Sequence, residues 1–248
     1  MTLAIVAAMP EELAALQAVM SVDRTEHVAG RTLHHGRLAG CEVVMVLAGI
    51  GKVAAAATAA LLFERCGARA VLFTGVAGGL GSAVRVGDVV VGTQFLQHDL
   101  DASPIFPRWQ VPGSGRSHFD ADVSMSQTLA EAAADVLAAP HAALSEFGIA
   151  AAHLHRGLIV SGDRFVSSVP ECARLRADLP EALAVDMESA AMAQVCADFG
   201  RPLAVLRCVS DRADDQAHVD FPRFLARVAA PLARDIVLAA LGRGLGRG

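Results

Sequence analysis

Tyrosine is absent from this sequence, tryptophan occurs once, and aromatic residues make up only 4% of the chain. Charge is sparse too: Asp, Glu, Lys and Arg account for 19% of 248 residues, with 26 acidic against 21 basic and a formal net charge of -5. That balance leaves no global electrostatic case for binding nucleic acid or an anionic membrane. Cys41, Cys66, Cys172, Cys196 and Cys208 form no C-x-x-C pair and no cluster with His, so they read as reduced core thiols. There is no H-E-x-x-H, G-x-S-x-G, G-x-G-x-x-G or P-loop sequence, which argues against a zinc peptidase, an α/β-hydrolase, a nicotinamide dehydrogenase and a P-loop NTPase. The apolar N-terminus lacks the positive region of a secretory signal, and Glu11 and Glu12 follow it at once. The longest apolar stretches are mostly alanine and are interrupted by charges, so none makes a membrane span. The cytoplasm is the default expectation.

What is present is apolar: 54% of the residues are hydrophobic, enough to exclude disorder over most of the chain and to fill one core. Residues 3–8 read as a short buried strand, and Pro10-Glu11-Glu12 opens a helix expected to run through Leu13, Leu16 and Val19. Residues 31–37 and 41–48 read as adjacent strands, and Gly49-Ile50-Gly51-Lys52 opens an alanine-rich helix toward Cys66. The strand at 70–74 meets Gly75-Val76-Ala77-Gly78-Gly79, read as a glycine turn. A further strand begins at Asp88, residues 98–120 read as a long loop of the kind that serves as a lid or interface, and residues 121–147 return to helical propensity. Strands at 154–160, 182–185 and 203–209, an alanine-rich helix at 190–198 and a terminal helix at 221–240 complete a layered α/β pattern. The domain is expected to span 1–241, with 242–248 a frayed tail.

Polar residues recur just beyond the apolar strands: Glu12, Asp163, Asp186, Glu188 and Asp211. Taken singly, each reads first as a helix cap, a turn former or a solvent-facing charge. Taken together, they can meet above one sheet edge, where α/β folds hold small ligands. The segment 75–79 would let backbone amides approach an anion or a sugar, because missing β-carbons relieve steric limits. His98-Asp99-Leu100-Asp101 contains metal-ligating residue types, but reads better as a loop organised by hydrogen bonds.

The order and spacing of several segments resemble the nucleoside phosphorylase superfamily, and within it the bacterial 5'-methylthioadenosine/S-adenosylhomocysteine nucleosidases. These are Ala8-Met9-Pro10-Glu11-Glu12, Gly49-Ile50-Gly51-Lys52-Val53-Ala54-Ala55, Thr74-Gly75-Val76-Ala77-Gly78-Gly79-Leu80 and His98-Asp99-Leu100-Asp101. Gly157-Leu158-Ile159-Val160-Ser161-Gly162-Asp163, Val185-Asp186-Met187-Glu188 and Val209-Ser210-Asp211 follow. The resemblance implies a single-domain, three-layer α/β fold with a central mixed sheet flanked by helices, a homodimer, and hydrolysis of the N-glycosidic bond of an adenine nucleoside without cofactor or metal.

It also implies roles. Asp211 would donate a proton toward adenine N7, positioned by Ser210; Glu12 would hold and activate water; Glu188 would grip the ribose hydroxyls with Met187 against the sugar. Phe165 would stack on adenine and the Val166 backbone would read its edge. Met9, Ile50, Val76, Ala77, Gly78 and Asp186 would line the sugar and base region. Ile105, Phe106 and Pro112 would bound the 5'-substituent, in part across the dimer. An Asp acid is mostly ionised near neutrality at its reference pKa of about 3.9, so this role requires Asp211 to hold its proton in the bound complex.

Three alternatives stay open. A phosphorylase would need converging phosphate-binding groups; related phosphorylases place an Arg and a Ser beside the glycine segment, where this chain has Phe73 and Val76, yet Arg85, Arg164 and Arg207 leave an anion site open. A 6-amino-6-deoxyfutalosine hydrolase differs only in the 5'-substituent. A non-enzymatic nucleoside-binding protein would bind adenine ligands without releasing the base.

Overall fold

The computed structural model describes residues 2–212 and 221–246. Its framework is a 10-stranded mixed sheet. β1 (Leu3–Ala7) pairs in parallel with β4 (Cys41–Leu47) on one side and β5 (Ala70–Gly79) on the other. Beyond β4, β3 (Arg31–Leu38) and β2 (Ser21–Val28) extend the sheet antiparallel to an open edge. On the other side β5 pairs with β10 (Leu203–Asp211), β10 with β6 (Val89–Gln97), β6 with β8 (Leu154–Ser161), β8 with β9 (Ala182–Asp186), and β9 returns to β5. The central mixed sheet is therefore as expected, and part of it also closes on itself into a ring. The short β7 (His118–Asp120) pairs with β6, so the irregular loop is shorter at its C-terminal end than the expected 98–120.

Alternation along the buried strands places one core on each face. Leu3, Ile5 and Ala7 pack with α1 (Pro10–Gln17), α3 (Val123–Leu137) and the terminal helix α8 (Ala230–Gly242). Ala4 and Val6 pack on the opposite face with α2 (Lys52–Glu64) and α6 (Ser189–Asp198). The alanines of α2 and α6 have little side chain to hold the two helices apart, and the pair pack against each other. Short α4 (Ala142–Glu146) and α5 (Val169–Asp178), the latter under a third apolar cluster, complete the helical layers. Among the described residues no helix is long and apolar enough to cross a membrane.

Several sequence expectations change. Helix α1 stops at Gln17, leaving Val19 48% exposed. The terminal helix is divided: α7 (Phe221–Phe224), a π-helical turn (Leu225–Ala229), then α8. The tail expected to fray from residue 242 is packed at its start, because Gly242 closes α8 and Leu245 is buried in the same core as Leu3; residues 247 and 248 lie outside the described residues. The largest correction concerns residues 75–79, which are no turn. They are the second half of β5, kept extended by β10 on one edge and, at Gly78 and Gly79, by β9 on the other.

Candidate active site

β5 organises the site through its neighbours. On one edge β1 stops opposite Thr74 and β9 joins only at Gly78, so Gly75, Val76 and Ala77 lie between the two pairings, where the pocket opens. β1 delivers Met9 and Glu12, β9 delivers Asp186 and Glu188, and β10, on the opposite edge, delivers Ser210 and Asp211. Position 75 is crowded: a β-carbon there would lie 3.0 Å from Arg207 Nη1 and 3.2 Å from Glu12 Oε1, so a side chain would press on both groups.

Glu12 sits in the first turn of α1, after Pro10 has preset the helical φ. Its Oε2 accepts the Met9 amide at 3.0 Å, so one oxygen caps the helix, while the buried Oε1 has no hydrogen-bond partner among the described residues. Burial raises its pKa to about 7, against an opposing pull from the Arg207 guanidinium. Glu188 occupies the N-cap position of α6, and its Oε1 accepts the Gly51 amide at 2.9 Å. Burial, reinforced by the Asp186 charge, raises Glu188 to about 7 as well. Both carboxyls therefore change charge near neutrality, as acid–base groups must.

Asp211 ends β10 and is buried. A register shift between Val209 and Asp211 places Ser210 at a β-bulge, a device that re-aims side chains at a strand end. The Ser210 hydroxyl donates to Asp211 Oδ2 at 2.7 Å.

Asp186 works inside the protein. Its Oδ1 accepts the Ser161 hydroxyl at 2.5 Å and the Glu188 and Ser189 amides; its Oδ2 accepts Ser189 Oγ and, at 2.8 Å, Arg207 Nε. Arg207, 1% exposed, also stacks over Phe73 with Cζ 4.1 Å from the ring centroid. This buried pair would be costly to break from either side. In the sequence Arg207 reads only as one of three arginines that leave an anion site open, and the signal for its internal role is that a guanidinium interrupts an apolar strand.

One pocket gathers the expected residues Met9, Glu12, Ile50, Val76, Ala77 and Gly78 from the first half of the chain. From the second half come Phe165, Val166, Asp186, Met187, Glu188, Ser210 and Asp211. Gly75, Arg164, Arg207 and Phe221 line it in addition. Ile105, Phe106 and Pro112 do not line this pocket in the single chain, and Ile105 is 81% exposed. Arg85 lies outside the pocket, and Arg164 at its edge pairs with Glu171 at 2.5 Å. Asp99 and Asp101 are engaged locally, with Lys52 and Ser103, and no group of His, Cys, Asp and Glu that could hold a metal occurs among the described residues.

Comparison with known proteins agrees with this fold. Residues 2–242 match the Phosphorylase superfamily. A 5'-methylthioadenosine/S-adenosylhomocysteine nucleosidase from Neisseria meningitidis, solved with methylthio-immucillin-A, is 35% identical with a TM-score of 0.85, covering 98% of this chain and 99% of that one. An S-adenosylhomocysteine nucleosidase from Streptococcus pyogenes is 30% identical with a TM-score of 0.85, over 98% and 97% of the two chains. A structure described as futalosine hydrolase of Helicobacter pylori is 31% identical with a TM-score of 0.83, again over 98% and 97%. On fold, site and these similarities together, the chain belongs to the 5'-methylthioadenosine/S-adenosylhomocysteine nucleosidase family of the phosphorylase superfamily.

Proposed function

We propose that this protein hydrolyses the N-glycosidic bond of 5'-methylthioadenosine and S-adenosylhomocysteine, and of 5'-deoxyadenosine, releasing adenine and the 5-substituted ribose. The observation that carries the reading is the charge of the pocket. Glu12, Asp186, Glu188 and Asp211 line it against Arg207, which Asp186 already neutralises, and Arg164, which Glu171 already engages. With both lining cations paired and no Lys or His among the described residues that line it, the pocket offers a phosphate dianion no free counter-charge and suits a neutral water nucleophile. Phe73, at the place where phosphorylases have an Arg, lies beneath the Arg207 guanidinium instead.

In this mechanism adenine stacks on Phe165 and meets the Val166 backbone, while Glu188 accepts hydrogen bonds from the ribose hydroxyls beside Met187. The C1'–N9 bond breaks with its electron pair leaving on adenine. Asp211, oriented by Ser210, gives a proton to N7 so that the base departs neutral. Positive charge develops on the ribose, water attacks C1', and Glu12 Oε1 takes the proton that water loses. Proton return between the two carboxyls and solvent resets the site. We further propose a homodimer in which Ile105, Phe106 and Pro112 complete the partner's 5'-substituent pocket; the exposure of Ile105 and its place outside its own chain's pocket support this.

A second reading, 6-amino-6-deoxyfutalosine hydrolase, is favoured by the similarity to the Helicobacter pylori structure. It uses the same base and ribose chemistry and differs at the 5' end. Measuring kcat/KM with methylthioadenosine, S-adenosylhomocysteine, 5'-deoxyadenosine and aminofutalosine separates the two. The thio-nucleosides are expected to be the best substrates. A preference for aminofutalosine would replace the first reading by the second, and binding without free adenine would refute both.

A further inference from the structure

The mechanism leaves unused a cluster of charged groups beside the pocket. The Lys52 ammonium, 17% exposed, donates to Asp99 Oδ1 at 2.6 Å and lies 3.9 Å from Asp163 Oδ2. The Lys52 amide donates to Asp163 Oδ1 at 2.7 Å, and the Asp163 amide donates to Asp99 Oδ2 at 2.8 Å. Burial alone would raise Asp99, but the Lys52 ammonium and the Asp163 amide outweigh it and hold this carboxyl below its ordinary range. These bonds tie together the N-terminus of α2, the exit of β6 and the exit of β8.

Two of the three tied segments lead to pocket groups. Gly51, next to Lys52, donates its amide to Glu188 Oε1. It does so from a φ of 99°, and a β-carbon there would lie 3.1 Å from Asp163 Oδ1, so the turn that presents this amide is built around the cluster. Asp163 is followed directly by Arg164, Phe165 and Val166, which line the pocket. Phe165 is 45% exposed and Val169, the first residue of α5, is 53% exposed, while Val166 between them is buried in the third apolar cluster, so core packing holds this segment at Val166 and the charged cluster holds it at Asp163.

We propose that Lys52, Asp99 and Asp163 form a strut that positions both the ribose-gripping carboxylate and the adenine-stacking segment, with Lys52 as its centre. The proposal deepens the functional reading above and rests on it for the roles of Glu188 and Phe165. Lys52 touches no reacting atom and is a positioning residue. It acts on groups that hold the substrate equally before and during bond cleavage, so its loss appears in KM more than in kcat.

The test compares Lys52→Met, Asp99→Asn and their combination with the parent, using methylthioadenosine turnover, titration calorimetry with adenine, and thermal melting. Each single variant should raise KM on the order of tenfold and weaken adenine binding, with kcat within about threefold and Tm nearly unchanged, since misplacing bound groups without removing them has costs of this size. The double variant should be no worse than either single, because both break the same strut. Lys52→Arg should recover most of the loss. Asp99→Asn preserves side-chain shape and decides the matter if Lys52→Met melts early. KM and adenine affinity within about twofold of the parent in Asp99→Asn, or losses that multiply in the double variant, would overturn the proposal. A parent that released no adenine would sink the functional reading alone, and the binding titrations would still read the strut.

Discussion

Asp211→Asn lowers kcat for adenine release from methylthioadenosine by on the order of 10²–10⁴-fold, the range over which a positioned proton donor contributes. Asparagine keeps the size of the buried side chain and retains an oxygen to accept the Ser210 hydroxyl bond, which measures 2.7 Å in the parent, so the bulge that aims this residue should survive. What disappears is the transferable proton. Binding should persist, because the adenine stack on Phe165 and the ribose contacts of Glu188 are untouched; KM is expected to stay within about threefold. A nucleoside analogue whose leaving group departs without protonation should lose far less, which separates a missing acid from a distorted pocket. Steady-state turnover together with adenine binding checks the result, and near-normal hydrolysis with intact adenine binding would remove Asp211 from the role of acid.

Glu12→Gln is expected to cost as much in rate, on the order of 10²–10⁴-fold in kcat, and to do the opposite to stability. The glutamine oxygen can still accept the Met9 amide, preserving the helix cap, but the side chain can no longer take a proton from water. With both Glu12 and Glu188 at about 7, kcat/KM of the parent should rise with pH through neutrality as the two ionise, and the Glu12→Gln variant should lack one of those two ionisations in its profile. The sign for stability follows from proton counting. A carboxyl at 4.5 when unfolded and about 7 when folded binds more protons in the folded state between those values. Its stabilising contribution is full below pH 4.5 and is lost as pH rises through about 7. The loss is on the order of 3 kcal/mol for Glu12, the cost of keeping a charge buried. The variant should therefore be more stable than the parent at pH 8 and no different below 4.5, as melting or denaturant curves at the two pH values can measure. Equal stability at pH 8 would mean that Glu12 is not destabilised by its burial.

The two carboxylates also mark how far sequence alone reaches. β1, β5, β8, β9 and β10 are legible because each carries an apolar run ending within two residues of a glycine or an acid, and of the acids expected beyond those runs Glu12, Asp186, Glu188 and Asp211 line one pocket while Asp163 does not. β2 escapes such a reading because Ser21–Val28 has few apolar residues and lies mostly exposed on the open edge, where no buried face imposes alternation. Residues 75–79 read as a turn because glycine weakens strands; only the pairing with β9 and β10, segments more than a hundred residues away in sequence, holds them extended. The internal use of Asp186 is equally hidden, since Arg207 and Ser161 meet it only in three dimensions. In the proposed homodimer the places of Ile105, Phe106 and Pro112 would depend on a second chain, which no spacing within one chain describes.

Hydrolysis by an acidic pocket, the centre of the functional proposal, is tested most directly by product identity. Purified protein should release adenine from methylthioadenosine at the same rate with and without added phosphate, leaving free methylthioribose as the only sugar product by NMR. A rate that depends on phosphate, with methylthioribose 1-phosphate as the product, would contradict it.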